Sequence, residues 1–95
     1  MTSKQRAYLK GLANTMDTIL IVGKDGITVN VVKQAEDALE ARELIKMRCL
    51  ETCMTSPRTV AEEVAMAVNA EVVQVIGSKA VLYRPAKKPK IVLPQ

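Results

Sequence analysis

Hydrophobic residues recur along this chain with two different periods, and the switches between them lay out seven elements. In Leu44-Ile45-Lys46-Met47-Arg48-Cys49-Leu50 the pattern alternates, with Ile45, Met47 and Cys49 on one side and Lys46 and Arg48 on the other. A period of two predicts a half-buried strand, here with a basic outer face. Thr18-Ile19-Leu20-Ile21-Val22 is a short β-branched run and reads as a buried strand. Val72–Ile76 and Ala80–Arg84 flank Gly77-Ser78-Lys79 and read as the two arms of a hairpin. Helical spacing governs the rest. Tyr8, Leu9 and Leu12 give an apolar side to Ser3–Ala13, and Val31, Val32, Ala35, Ala38 and Leu39 give one to Val29–Arg42. Val60, Ala61, Val64, Ala65 and Val68 do the same for a helix that starts at Pro57 and stops at Asn69-Ala70.

Capping chemistry agrees with these limits. Thr2 or Ser3 caps the first helix and Asn14 stops it; Thr28 caps the second. Ser56 before Pro57 caps the third, with Thr59 and Glu62 offering a capping box in a competing frame. The order is α-β-α-β-α-β-β. Strands joined through helices run parallel and the last reverses by hairpin, which predicts a four-stranded mixed sheet with its last strand antiparallel. The expectation is an α/β chain of the two-layer α+β kind, with the helices on one face. Pro85, Pro89 and Pro94 keep residues 85–95 extended, and Ile91-Val92-Leu93 can dock on the domain.

Ninety-five residues suit a single domain over 1–95 with one modest core. That core contains no Phe or Trp and relies on Val, Ile, Leu, Ala and Met. Cys49 and Cys53 have no histidine to join them, so one chain cannot close a zinc site; Cys49 reads as a small buried hydrophobe. The N-terminus leads into no signal-like apolar segment and no run is long enough to span a membrane, which makes cytoplasm the expected location.

The net charge is only +4, but it is unevenly placed. Lys4, Arg6 and Lys10 open the chain with no acid among them, and Lys79, Arg84, Lys87, Lys88 and Lys90 close it in the same way. Acids collect in the middle, at Glu36, Asp37, Glu40, Glu43, Glu62 and Glu63. If the two basic ends meet, the molecule has one cationic face suited to a polyanion. The carboxylates at 36, 37, 40 and 43 have no histidine, nucleophile or metal ligand beside them, so they read as a solvated helix face, with Arg42 in a structural ion pair. Neither an enzyme, a cofactor nor a small-molecule substrate is expected.

One corner carries the strongest chemical signal. Val22-Gly23-Lys24-Asp25-Gly26-Ile27-Thr28 turns a strand into a helix, with a glycine at each end of the loop and a lysine inside it. Both glycines are expected to serve the turn. The first N–H groups of the following helix lack intrahelical partners and carry partial positive charge, so this corner suits a phosphate. Asp25 sits awkwardly beside such a seat; it either caps the helix or holds Lys24.

Together these pieces resemble the CRM domain (chloroplast RNA splicing and ribosome maturation) in its stand-alone bacterial YhbY-like form. The resemblance is carried by Ser3-Lys4-Gln5-Arg6-Ala7-Tyr8-Leu9-Lys10, Gly23-Lys24-Asp25-Gly26, Ala38-Leu39-Glu40-Ala41-Arg42-Glu43-Leu44-Ile45-Lys46, and Val75-Ile76-Gly77 with Val81-Leu82-Tyr83-Arg84-Pro85. It implies a fold like the C-terminal domain of translation initiation factor three, with sheet order 1-2-4-3. It also implies RNA binding without catalysis, directed at ribosomal RNA or large-subunit precursors, with the GxxG loop mapping onto Gly23–Gly26. The expected contacts are Gly23, Lys24, Asp25 and Gly26, flanked by Lys4, Arg6, Lys10, Lys46, Arg48, Lys79, Arg84, Lys87, Lys88 and Lys90. Only Tyr8 and Tyr83 could stack on bases, so recognition is expected to depend on RNA shape, by a monomer. The competing expectation is a protein-docking module acting through the Pro-rich tail or a sheet edge.

Overall fold

A computed structural model describes residues 1–95. Its elements are α1 (Ser3–Ala13), β1 (Thr18–Val22), α2 (Val29–Arg42), β2 (Leu44–Cys49), α3 (Pro57–Val68), β3 (Glu71–Ile76) and β4 (Lys79–Tyr83). The caps are those that the side chains dictate. Thr2 and Gln5 form a reciprocal capping box on α1, Thr28 accepts from the Val31 N–H on α2, and Ser56 accepts from the Thr59 N–H on α3. Asn69 ends α3 in the left-handed conformation at φ 57°, which asparagine tolerates.

The sheet order is β1-β2-β4-β3. β1 and β2 are parallel, and β4 is antiparallel to both β2 and β3, as expected for the fold. The expectation that all helices share one face is wrong. α2 and α3 cover the face bearing Leu20, Val22, Ile45, Met47, Ala80 and Leu82, which form the main core. α1 lies on the opposite face, where Leu9 and Ala13 pack on Leu44, Val73, Val81 and Tyr83. The physical reason lies in β4 and the start of β2. Ala80-Val81-Leu82-Tyr83 and Leu44-Ile45 are apolar on both faces, and such strands demand cover on both sides. The buried stripe of α1 is correspondingly narrow: Leu9 and Ala13 are buried, while Tyr8 and Leu12 stay 43% and 38% exposed.

The tail completes that second layer. Ile91 and Leu93 pack against the α1 cluster, and the Gln5 side chain donates to the Pro94 carbonyl at 3.0 Å. Its anchor is Glu43, expected on a solvated face but wholly buried. The Glu43 carboxylate accepts from the backbone N–H groups of Ala86, Lys90 and Ile91 at 2.7–2.8 Å. Burial by itself raises the Glu43 pKa. The three N–H donors and the Lys90 charge outweigh it, leaving the carboxyl below its ordinary value. A buried charge persists only when its lone pairs are satisfied in this way.

Candidate nucleic-acid interface

The register of the sheet decides which cations meet. β1 ends at Val22, opposite Cys49 at the end of β2, so the Gly23–Gly26 loop emerges at the same end as the Gly77-Ser78 turn. Arg84 and the tail follow Tyr83, whose partner is Leu44 at the far end of β2. The two basic termini therefore do not join at the loop. The first helix and the tail meet each other through Gln5 and Pro94, and Lys87, Lys88 and Lys90 lie at the end of the sheet opposite Lys24.

In the loop, Gly26 donates to the Gly23 carbonyl at 3.0 Å and closes a tight turn. Gly26 has φ 66°, where an L side chain is strained. Gly23 is different: its φ is not positive, and a Cβ there would touch Leu50 Cδ1 at an ordinary 3.5 Å. Only one of the two glycines is required by the turn, contrary to expectation. Lys24 and Asp25 are both exposed and make no ion pair with each other. Asp25 does not cap α2 either, because Thr28 does so. The N–H groups of Val29 and Asn30 open the helix beside this loop.

Next to the loop a row of exposed side chains crosses all four strands. Ile21 pairs with Arg48, Arg48 with Lys79, and Lys79 with Ile76. With strands about 4.8 Å apart the row spans roughly 14 Å. Lys46 stands two residues behind Arg48 on the same face. None of Lys24, Lys46, Arg48 or Lys79 is in a salt bridge. Like charges set directly opposite on neighbouring strands repel, at a cost of roughly 0.2–1 kcal/mol. Arg48 and Lys79 are such a pair, and no acid relieves them. The fold therefore tolerates a local repulsion that an anionic ligand would remove.

The other expected contacts are placed elsewhere. Arg6 Nη1 donates to the Val72 and Val73 carbonyls at 2.8 and 2.9 Å, stitching α1 to the irregular stretch of β3. Arg84 Nη1 lies 2.7 Å from Glu36 Oε2 and 3.0 Å from the Val68 carbonyl, and Nη2 lies 3.2 Å from Glu40 Oε2. Glu36 and Glu40 of α2 thus pair with Arg84, and Asp37 pairs with Lys33 at 3.3 Å. Arg42 is exposed and unpaired, and its expected role is corrected accordingly. Lys90 Nζ donates to the Ala41 carbonyl at 3.4 Å, and the Lys87 N–H donates to Glu40 Oε1 at 3.2 Å. Lys4 and Lys88 are exposed, and Lys10 lines a groove along β3 with Arg58 and Glu62.

Tyr83 is buried, and its hydroxyl is pushed up by that burial and then by the Glu43 and Glu71 charges, so it offers no stacking face. Tyr8 is the exposed tyrosine. Cys49 is buried as expected, with its thiol pKa raised by burial and then by Cys53. Arg58 and Ile76 carry no functional signal in the sequence, and β1, expected to be buried, is covered on one face only, leaving Ile21 54% exposed. The pairing of Arg48 with Lys79 depends on strand order, which no local pattern of residues records.

Comparison with known proteins agrees with this architecture. The family model of the CRS1 / YhbY (CRM) domain matches residues 1–84. The probable RNA-binding protein YqeI of Bacillus subtilis is 41% identical over 90 residues, covering 95% of this chain and 94% of that protein. An RNA-binding protein of Haemophilus influenzae is 34% identical over 95 residues, covering 100% of this chain and 96% of its own. The solution structure of the hypothetical protein SAV1595 from Staphylococcus aureus superposes with a TM-score of 0.83 at 45% identity, covering 99% of each chain. With this match of sequence and overall fold, the chain belongs to the CRS1 / YhbY (CRM) domain family.

Proposed function

We propose that this chain is a non-catalytic, monomeric RNA-binding protein of the cytoplasm, acting on structured ribosomal RNA or large-subunit precursors during ribosome assembly. One observation carries the reading: Lys24, Arg48 and Lys79 stand unpaired at the end of the sheet where α2 begins. The names of the relatives point the same way. In this reading the free amides at the start of α2 and Lys24 seat one phosphate, with Gly23 leaving the backbone open to it. Arg48 and Lys79 take neighbouring phosphates along the strand, while Lys46 extends the track. Such contacts give salt-dependent affinity and position the RNA without reading its sequence.

The competing docking reading is left with a sheet edge as its surface, because the tail, its other route, is engaged on Glu43 and the α1 cluster. Cutting the chain after Arg84 would not separate the two readings, since it also strips the cover from Glu43. The decisive experiment is affinity for fragments of large-subunit ribosomal RNA, measured for wild type and Lys24→Asp across a salt series. The expected result is a loss of about tenfold, with the salt slope reduced by about one and the circular dichroism spectrum unchanged. Equal binding by a folded Lys24→Asp would refute the loop as a phosphate seat.

A further inference from the structure

α1 covers only part of its face of the sheet, and a recess remains where it stops. The recess holds about 140 Å³ and is lined by Ala13, Asn14, Lys46, Gln74, Ile76, Lys79 and Val81. A cavity on the order of 150 Å³ accommodates a benzene-sized ring, and whole small-molecule sites are several times larger. The walls supply two kinds of group. Ile76, Val81 and Ala13 give apolar contact, while Asn14 and Gln74 bring side-chain amides that make no hydrogen bond within the protein. Lys46 and Lys79 stand at the recess, and Lys79 also belongs to the cationic row beside the loop.

We infer that this recess takes one unpaired nucleobase of the RNA, extruded next to the phosphates held by the loop end. The inference rests on the reading of the chain as an RNA-binding protein and names the RNA feature it selects. A base within a duplex cannot enter, because its edge is already paired and its faces are stacked. An extruded base offers a planar ring to Ile76 and Val81 and a donor–acceptor edge to the Gln74 and Asn14 amides, which can donate and accept. Its flanking phosphates then lie by Lys46 and Lys79. The absence of an aromatic platform is consistent with a single base held by aliphatic contact and an amide edge. Two lysines and no acid in the lining favour nucleic acid over a basic peptide.

The test compares a short RNA hairpin with the same hairpin carrying one bulged uridine. Wild type should prefer the bulged hairpin by about tenfold, the scale of one good amide–base pairing. Gln74→Ala should bring that ratio close to one, whereas Lys24→Asp should weaken both hairpins and keep the ratio. Placing 4-thiouridine at the bulge should give photo-crosslinks in wild type to the segment around Gln74–Val81 or to Asn14, which requires no variant to fold. A ratio near one for wild type, or crosslinks confined to Gly23–Thr28, overturns the inference. If Lys24→Asp still weakens both hairpins in that case, RNA binding at the loop stands and the recess is left to an acidic protein surface. Failure of wild type to bind either hairpin, or any ribosomal RNA fragment, removes both readings together.

Discussion

The two ends of the sheet carry similar charge and use it in opposite ways. At the tail end one cation, Arg84, is committed to ion pairs, while Lys87, Lys88 and Lys90 make none. Arg84 is held by Glu36, Glu40 and the Val68 carbonyl, and the Lys90 backbone is held by Glu43. At the loop end Lys24, Arg48 and Lys79 have no partner, and two of them oppose each other across neighbouring strands. The difference separates cations that build the fold from cations that the fold merely carries. Basic character alone could not have told them apart. A substitution at Arg84 or Glu43 should cost stability, and one at the loop end should cost affinity.

The largest effect is expected from Glu43→Ala. It deletes the acceptor for three backbone N–H groups at the base of the tail, and unsatisfied donors of this kind cost roughly 1–3 kcal/mol each when they stay buried. The tail can release and rehydrate, so the net loss should be about 3 kcal/mol. Chemical denaturation should show it, with amide exchange rising over residues 86–91. The same anchor makes a pH prediction. Its pKa is lowered in the folded state, so its contribution is complete above the ordinary carboxyl value of 4.5. That contribution is lost as pH falls below 4.5 through the lowered value. Tail amides should therefore lose protection in acid before those of β1 and β2 do; uniform loss across the chain would contradict the anchor.

Reversing a loop-end charge tests the other half of the comparison. Lys79→Glu replaces a repelling pair with Arg48 by an attractive one, so stability should rise by roughly 0.5 kcal/mol. Affinity for ribosomal RNA fragments should fall about tenfold, or ~1.4 kcal/mol, with a shallower salt dependence. The opposite signs are the point of the experiment. Reversal of the paired Arg84 should lower stability first, because Glu36 and Glu40 would then face a third acid. A Lys79→Glu protein that binds RNA normally would return the row to the status of solvated surface.

Local pattern made the elements legible, and the limits of α1 and α2 follow directly from caps and spacing. What it could not show is what lies across the sheet. Glu43 sits four residues after Leu39, in line with the buried Val31, Ala35 and Leu39. Spacing therefore turns it toward the covered side, and only its charge suggests solvent. The groups that satisfy it arrive when the chain returns 43 residues later. That return is a long-range event with no local signature. The placement of α1 was hidden for a related reason. Leu44, Val81 and Tyr83 show that a second apolar face exists, but not which helix fills it. The loop was visible because its chemistry is contiguous in sequence, while the Ile21-Arg48-Lys79-Ile76 row is assembled from four strands.

The finest distinction lies within the loop itself, between its two glycines. Gly26→Ala forces an L side chain to φ 66°, which should cost roughly 1–2 kcal/mol of stability. Gly23→Ala meets only ordinary contact at 3.5 Å from Leu50 Cδ1, with no positive φ to relieve. Its stability should stay level or rise by up to ~1 kcal/mol, since alanine restricts the unfolded chain. Geometry gives no structural need for glycine at position 23, so a need there has to come from something that approaches the backbone. If that is a phosphate, the added methyl should weaken RNA binding about fivefold, the equivalent of one lost hydrogen bond near 1 kcal/mol. Thermal melts and binding isotherms on the two variants separate the roles. Gly23→Ala with unaltered affinity would leave Lys24 as a charge near the RNA, with the loop backbone standing clear of it.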